Sequence, residues 1–222
     1  MKIDLHVHSG FSICAATDYK EAVSVYSEAG INFVLCNHYN ALYTKAYGGQ
    51  YSREDYPKRF VEEFYRTQDY GAQKGLKVFF GIEVALSLPS CPYAEFLIYG
   101  ASPSFLSEHP YIYDLGQKEL YELCKQNDLV LVQAHPFRKE QGHFPHDPKY
   151  MDGVEINCHY RFLREADKVR ELAAKNNLIV TCGSDFHKIG GQGAGGIICR
   201  DVYNEQELKK ILSNNEFEIF MR

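Results

Sequence analysis

At 222 residues, 45% hydrophobic and 24% charged, with 17 Tyr, 14 Phe and no Trp, the composition is that of a globular protein. The formal net charge of −5 leaves no basic footprint for duplex nucleic acid, and no stretch approaches the roughly 20 apolar residues of a membrane helix. The seven Cys are scattered and odd in number; with no apolar signal run at the N-terminus, they suggest reduced thiols in a cytoplasmic protein.

The chain opens on a strand, residues 1–8, in which Ile3, Leu5 and Val7 alternate with Asp4, His6 and His8. That alternation predicts His6 and His8 on one face, where two imidazoles can share a divalent cation. After a loop of small residues, Asp18 with Glu21 forms a helix capping box, and Gly30 ends that helix. Residues 31–37 read as a buried strand with His38 just past its end, and 41–52 as a Tyr- and Gly-rich surface loop. Apolar positions Phe60, Val61, Phe64 and Tyr65 predict a helix over 53–74, ended near Gly75. Residues 76–85 form the next strand, carrying Glu83 among Phe79, Phe80, Ile82 and Val84; a carboxylate there needs a partner. Residues 96–99 return beside it.

Residues 102–113 read as irregular, 118–126 as a helix and 129–132 as a short buried strand, followed by His135-Pro136. The polar loop 137–150 carries Arg138, the cation nearest His135, while His143 and His146 are read as loop residues, with a ligand role as the lesser alternative. Strand 153–157 holds a late carboxylate, Glu155, with His159 and Arg161 following at the same level. A helix over 163–175 precedes strand 178–182, after which Asp185 and His187 stand two apart. The tract 190–196 reads as a mobile Gly-rich loop, with a backbone cradle for an anion as the lesser alternative. Asn204 with Glu207 caps a last helix, and 217–221 form an extended tail.

Strands alternating with helices predict a parallel sheet in one α/β domain over 1–222. In such folds sites gather at the carboxyl ends of strands. His6, His8, His38, Glu83, His135, Glu155, Asp185 and His187 all fall there, so a closed barrel would bring them together.

The runs Asp4-Leu5-His6-Val7-His8-Ser9, Gly81-Ile82-Glu83, Ala134-His135-Pro136 and Gly183-Ser184-Asp185-Phe186-His187, with His38, resemble the motifs of the PHP (polymerase and histidinol phosphatase) superfamily. The resemblance spans nearly the whole chain. It implies a distorted (β/α)7 TIM-like barrel with two or three divalent metal ions (Zn, Mn or Fe) and phosphoesterase chemistry. His6, His8, Glu83 and Asp185 would hold one metal, and Glu83 would bridge to a second shared with His135. His38 and His187 would hold a third, with Asp18 as a further candidate. Two departures stand out. The Asp or His that family members often keep soon after His-x-His is delayed here to Asp18, and a His on the strand after Gly-x-Glu is replaced by the stretch beginning at Glu95, so the second metal would be weakly held or completed by Glu95 or water.

The implied reaction is hydrolysis of a phosphate ester by metal-activated water, with a small phosphorylated substrate. His187 or His159 would protonate the leaving group, and Arg138 or Arg161 would grip a phosphate oxygen. The alternatives are a metal-dependent amidohydrolase, which usually wants a modified Lys where this chain has Glu83, and a non-catalytic metal- or ligand-binding domain. Which ester is cleaved, and the oligomeric state, are not written in the sequence.

Overall fold

The computed structural model describes residues 1–44, 48–88, 91–138, 142–159 and 165–222. Its frame is one twisted sheet whose strands run, in spatial order, β10-β9-β1-β2-β4-β5-β6-β7-β8. They are β1 (Lys2–Val7), β2 (Asn32–Leu35), β4 (Val78–Leu88), β5 (Cys91–Tyr99), β6 (Val130–Gln133), β7 (Gly153–Asn157), β8 (Ile179–Gly183), β9 (Gly195–Ile198) and β10 (Glu218–Met221), with the two-residue β3 (His38–Tyr39) pairing β4. β1, β2, β4, β6, β7 and β8 point the same way, while β5 returns antiparallel between β4 and β6. Beyond β8 the ring comes back to its start: Val7 bridges Phe186, His8 N–H donates to the Phe186 carbonyl at 3.0 Å, and Phe186 N–H to that of His6 at 3.3 Å. The result is a nearly closed, distorted α/β barrel, with β9 and β10 added antiparallel outside β1.

Helices α1 (Tyr19–Ala29), α2 (Tyr56–Gln73), α4 (Gln117–Gln126) and α5 (Ala166–Asn176) pack on the outside. Their apolar stripes, among them Val23 and Tyr26, Phe60 and Phe64, Leu120, and Val169, form one core with the outward strand residues. A second core fills the barrel: Ile3, Leu5, Val34, Phe79, Leu97, Tyr99, Val130 and Val132, plugged by Leu208, Ile211 and Leu212 of α6 (Glu205–Ser213). With that end filled, the opposite end, where the parallel strands terminate, is left for chemistry.

Boundaries follow local chemistry. Asp18 caps α1 by accepting from the backbone of Lys20 and Glu21, the Glu21 side chain reaches back to the Asp18 amide, and Gly30 ends the helix at φ +66°. Two readings are corrected. Residues 102–113 are not irregular throughout: a short helix, α3 (Ser104–Glu108), and a 3-10 turn at Ile112–Asp114 bury Phe105, Leu106, Ile112 and Tyr113. The stretch 190–196 ends in strand, because β9 pairs with both β1 and β10, and Gly196 lies where a Cβ would fall 2.2 Å from the Ile3 carbonyl oxygen.

Candidate metal centre

The centre begins with an interruption in β1. Between Asp4 and Val7 the register against β2 slips, Leu5 and His6 on β1 opposing the single Val34 on β2. Strict alternation would place Asp4, His6 and His8 together. Instead Asp4 turns outward to α1, accepting from Tyr26 O–H at 2.6 Å and from the Ser184 amide at 2.9 Å, while Leu5 stays in the interior core and Val7 joins the outer one. His6 and His8 face the mouth of the barrel, their Nε2 atoms 3.0 Å apart. Burial pushes the Asp4 carboxyl up to about 6 against its hydrogen bonds.

β4 supplies the middle of the centre. Glu83 lies opposite His38 in the β3–β4 pairing and is fully buried. One of its carboxylate oxygens is 3.3 Å from His6 Nε2 and 3.0 Å from His135 Nε2; the other is 3.4 Å from His8 Nε2 and 2.6 Å from His38 Nδ1. Asp185, just past β8, brings Oδ1 to 3.2 Å from His8 Nε2 and 3.6 Å from His6 Nε2. His135 and Asp185 both adopt left-handed backbone, φ +29° and +51°, a conformation that residues with a side chain rarely take. His135 is further restricted by the proline that follows it.

A layer behind these groups orients them. Glu155 sits 2.8 Å from His6 Nδ1 and also accepts from the His135 amide, so His6 turns Nε2 toward the other donors. Ser12 Oγ is 3.2 Å from His8 Nδ1, receives the His38 amide and is itself held by Asn37, which gathers Ser9 and Ser12 under the two histidines. His187 Nδ1 faces the Asp185 carbonyl at 2.9 Å. At Gly183 a Cβ would fall 2.5 Å from the His6 Cβ and 2.7 Å from Glu155 Oε1, so the approach of β8 to β1 requires glycine.

The donors fall into overlapping groups, each able to hold one cation: His6, His8 and Asp185; His6, Glu83 and His135; His8, His38 and His187; Glu95, His135 and His143; and His38, Glu83 and Glu95. Nitrogen and carboxylate donors of this kind suit Zn, Mn or Fe. The fit has a direct sign. Glu83 Oε2 and His38 Nδ1, both buried and 2.6 Å apart, make no directed hydrogen bond. Two buried polar atoms without a hydrogen-bond partner, set among nitrogen and carboxylate donors, fit a cation.

The electrostatics agree. Burial would lower His6, but Glu155, Glu83 and Asp185 raise it well above the usual imidazole range; burial is likewise outweighed at His38, chiefly by Glu83. Burial and the neighbouring His187 and His38 press His8 well down, and burial with Arg138 takes His135 to about 3. Glu83 and Asp185 lie well below the carboxylate range despite burial, held there by His38 and His6, and by Arg138 and His6, respectively.

Asp18 is not part of the centre: its exposed carboxylate is committed to the cap of α1. Arg138 is at the wall, paired with Asp185. His159 follows β7, half-buried, with its amide donating to Asn157 Oδ1, and belongs to none of the cation-competent groups among the described residues. Arg161 lies outside the described residues.

His143 is the correction in the other direction. Read from the sequence as a loop residue, it is buried, stacks edge-on against His135 at 4.7 Å and brings Nε2 to 3.5 Å from Glu95, whose carboxyl burial and Glu83 push up to about 7. Glu95 and His143 thus stand where the sequence lacks the expected strand histidine. Cys14 was also missed. Its thiol, pulled down to about 6 against burial by hydrogen bonds with His187 and His38, lies 3.1 Å from His187 Nε2. The signal for His143 was a histidine within reach of His135 along one loop; for Cys14 it was the thiol six residues after His8.

No protein-family model matches the sequence, and no curated protein does. Solved structures do match. PsfC of Pseudomonas syringae PB-5123 superposes with a TM-score of 0.70 at 18% identity, over 100% of this chain and 93% of its own. A protein of Bifidobacterium adolescentis proposed as a metal-dependent phosphoesterase gives 0.57 at 14% identity, over 96% of both chains. The lesion-specific endonuclease PfuEndoQ of Pyrococcus furiosus gives 0.64 at 16% identity, over 98% of this chain and 57% of its own. The chain has a PHP-type fold.

Proposed function

We propose that the protein is a metal-dependent phosphoesterase acting on a small phosphorylated substrate at a di- or trinuclear centre. The observation that carries this reading is the position of Glu83. Its two carboxylate oxygens reach His6 and His135 on one side and His8 and His38 on the other, the placement of a carboxylate shared between cations. Divalent ions bound there would neutralise phosphate charge and lower the pKa of water from 15.7 to about 7.

The chain's own groups do the rest. His6, His8 and Asp185 with Glu83 would hold the innermost cation, and His135, Glu95 and His143 with Glu83 would hold the second. Glu155 keeps the His6 proton on Nδ1. Arg138, paired with Asp185 at the wall, would present its guanidinium fork to a phosphate oxygen. His187 belongs to the outer group with His8 and His38, which leaves His159 to protonate the leaving oxygen.

The test is phosphate release from a panel of phosphomonoesters and nucleotides, with protein loaded with Mn, Fe or Zn and a chelated control. Metal-dependent turnover that Glu83→Ala reduces to the chelated background is the expected result. Silence across the panel from protein shown to carry its metals overturns the reading in favour of an amide substrate or a binding role.

A further inference from the structure

The outer group of His8, His38 and His187, where His38 and His187 approach the surface, includes no carboxylate among the described residues. Asp18, which the sequence offered, is spent on the helix cap. What stands there is a thiol. Cys14 Sγ lies 3.1 Å from His187 Nε2, and His187 groups with His8 and His38 as donors able to hold one cation. Its placement is built. The Ile13 amide donates to Tyr43 O–H at 3.1 Å, the Ala15 amide to the Ser12 carbonyl at 2.8 Å, and the Ala16 amide to the His187 carbonyl at 2.8 Å. The chain is therefore anchored immediately before Cys14 and at both residues after it.

The groups facing the thiol offer lone pairs. His187 Nδ1 faces the Asp185 carbonyl, which keeps its proton and leaves Nε2 as an acceptor directed at Cys14. Across the group, His38 Nδ1 and Glu83 Oε2 stand 2.6 Å apart, buried atoms without a hydrogen-bond partner, as donors to a cation would be. A tetrahedral ion with nitrogen bonds near 2.05 Å and a sulfur bond near 2.3 Å spaces such donors about 3.6 Å apart. The thiol and His187 need to part by only about 0.5 Å to admit one. Of the Cys whose side chains are described, Cys14 is the only exposed one.

We propose that Cys14 binds the outer cation as a thiolate, together with His38 and His187, so that this position has a sulfur donor and prefers zinc or cobalt to manganese. Soft thiolate selects such ions, whereas the inner carboxylate-rich positions accept manganese as well. As the metal–sulfur bond forms, the thiol proton leaves to solvent. The proposal rests on the metal-centre reading above.

The test is stepwise loading of metal-stripped protein with Co(II), read by absorption and by metal analysis, in the wild type, Cys14→Ser and Cys14→Ala. The expected wild-type result is a thiolate-to-cobalt charge-transfer band in the near ultraviolet. Both variants lose the band and one cobalt per chain, keep the cobalt at the inner positions, and leave Mn(II) binding there unchanged. Zinc also protects wild-type Cys14 from alkylation, as followed by peptide mass. Cobalt bound without the band, or a band that survives in both variants, overturns the thiolate ligand and leaves the inner centre standing. A wild-type protein that binds no cobalt overturns the metal centre and this proposal together.

Discussion

The histidines of the centre are divided by what lies next to them. Burial lowers all of them, but His6 has Glu155, Glu83 and Asp185 beside it, and His38 has Glu83, so both are raised well above the usual imidazole range. His187 is raised too, by Asp185 and Cys14 against burial. His8 and His135 are pressed down and are already neutral. A cation needs the lone pair that the proton occupies, so binding must expel protons from the raised group, and affinity rises with pH through the neutral range. Zinc titrations by calorimetry at pH 7, in buffers of different ionisation enthalpy, should show net proton release; zero release would mean that the raised histidines are not ligands.

At the scale of elements, the two ends of the first β/α unit divide their labour. The register slip in β1 sends Asp4 to α1 and turns His6 and His8 to the barrel mouth. Asp18 then starts the helix and belongs to none of the cation-competent groups among the described residues. Replacing Asp18 by Ala removes a capping side chain, at a cost of about 1 kcal/mol. In a chain of this size that is a melting shift of roughly 2–4 °C. Metal stoichiometry should stay at the wild-type value; loss of a bound metal in Asp18→Ala would return this residue to the centre. Gly183 is the corresponding constraint on β8, since any side chain there pushes into His6 and Glu155.

The whole molecule gathers five fully buried titratable groups at one end of a barrel: His6, His8, Glu83, Glu155 and, through the outer wall, Asp4. Burying charge is costly unless it is matched, and cations matched to these donors bind the folded chain and not the open one. At free metal about a thousandfold above its dissociation constant, that linkage is worth about 4 kcal/mol. For a chain of this length it corresponds to roughly 8–16 °C in melting temperature. Chelator-treated and metal-loaded protein compared by calorimetry should differ by this order, and equal melting temperatures would rule out tight occupancy. The plug of α6 under the barrel contributes apolar burial to both forms and does not alter the difference.

The elements with local signatures were legible in the sequence. The capping box at Asp18 and Glu21, the stop at Gly30, the buried runs of β4, β7 and β8, and the cap at Asn204 depend on residues within a few positions of one another. The strand-end pattern from His6 to His187 was legible for a similar reason, because an α/β chain returns each strand end to the same side. Three matters were decided only by tertiary structure. The bulge that separates Asp4 from His6 exists in the pairing of β1 with β2, and no feature of β1 alone announces it. His143 is buried against His135 and Glu95, and the contact with Glu95 joins residues far apart in the chain. Cys14 meets His187 across 173 positions of chain, a separation that no local periodicity can bridge. Local hydrogen bonding and hydrophobic spacing set the elements; ring closure set which side chains meet.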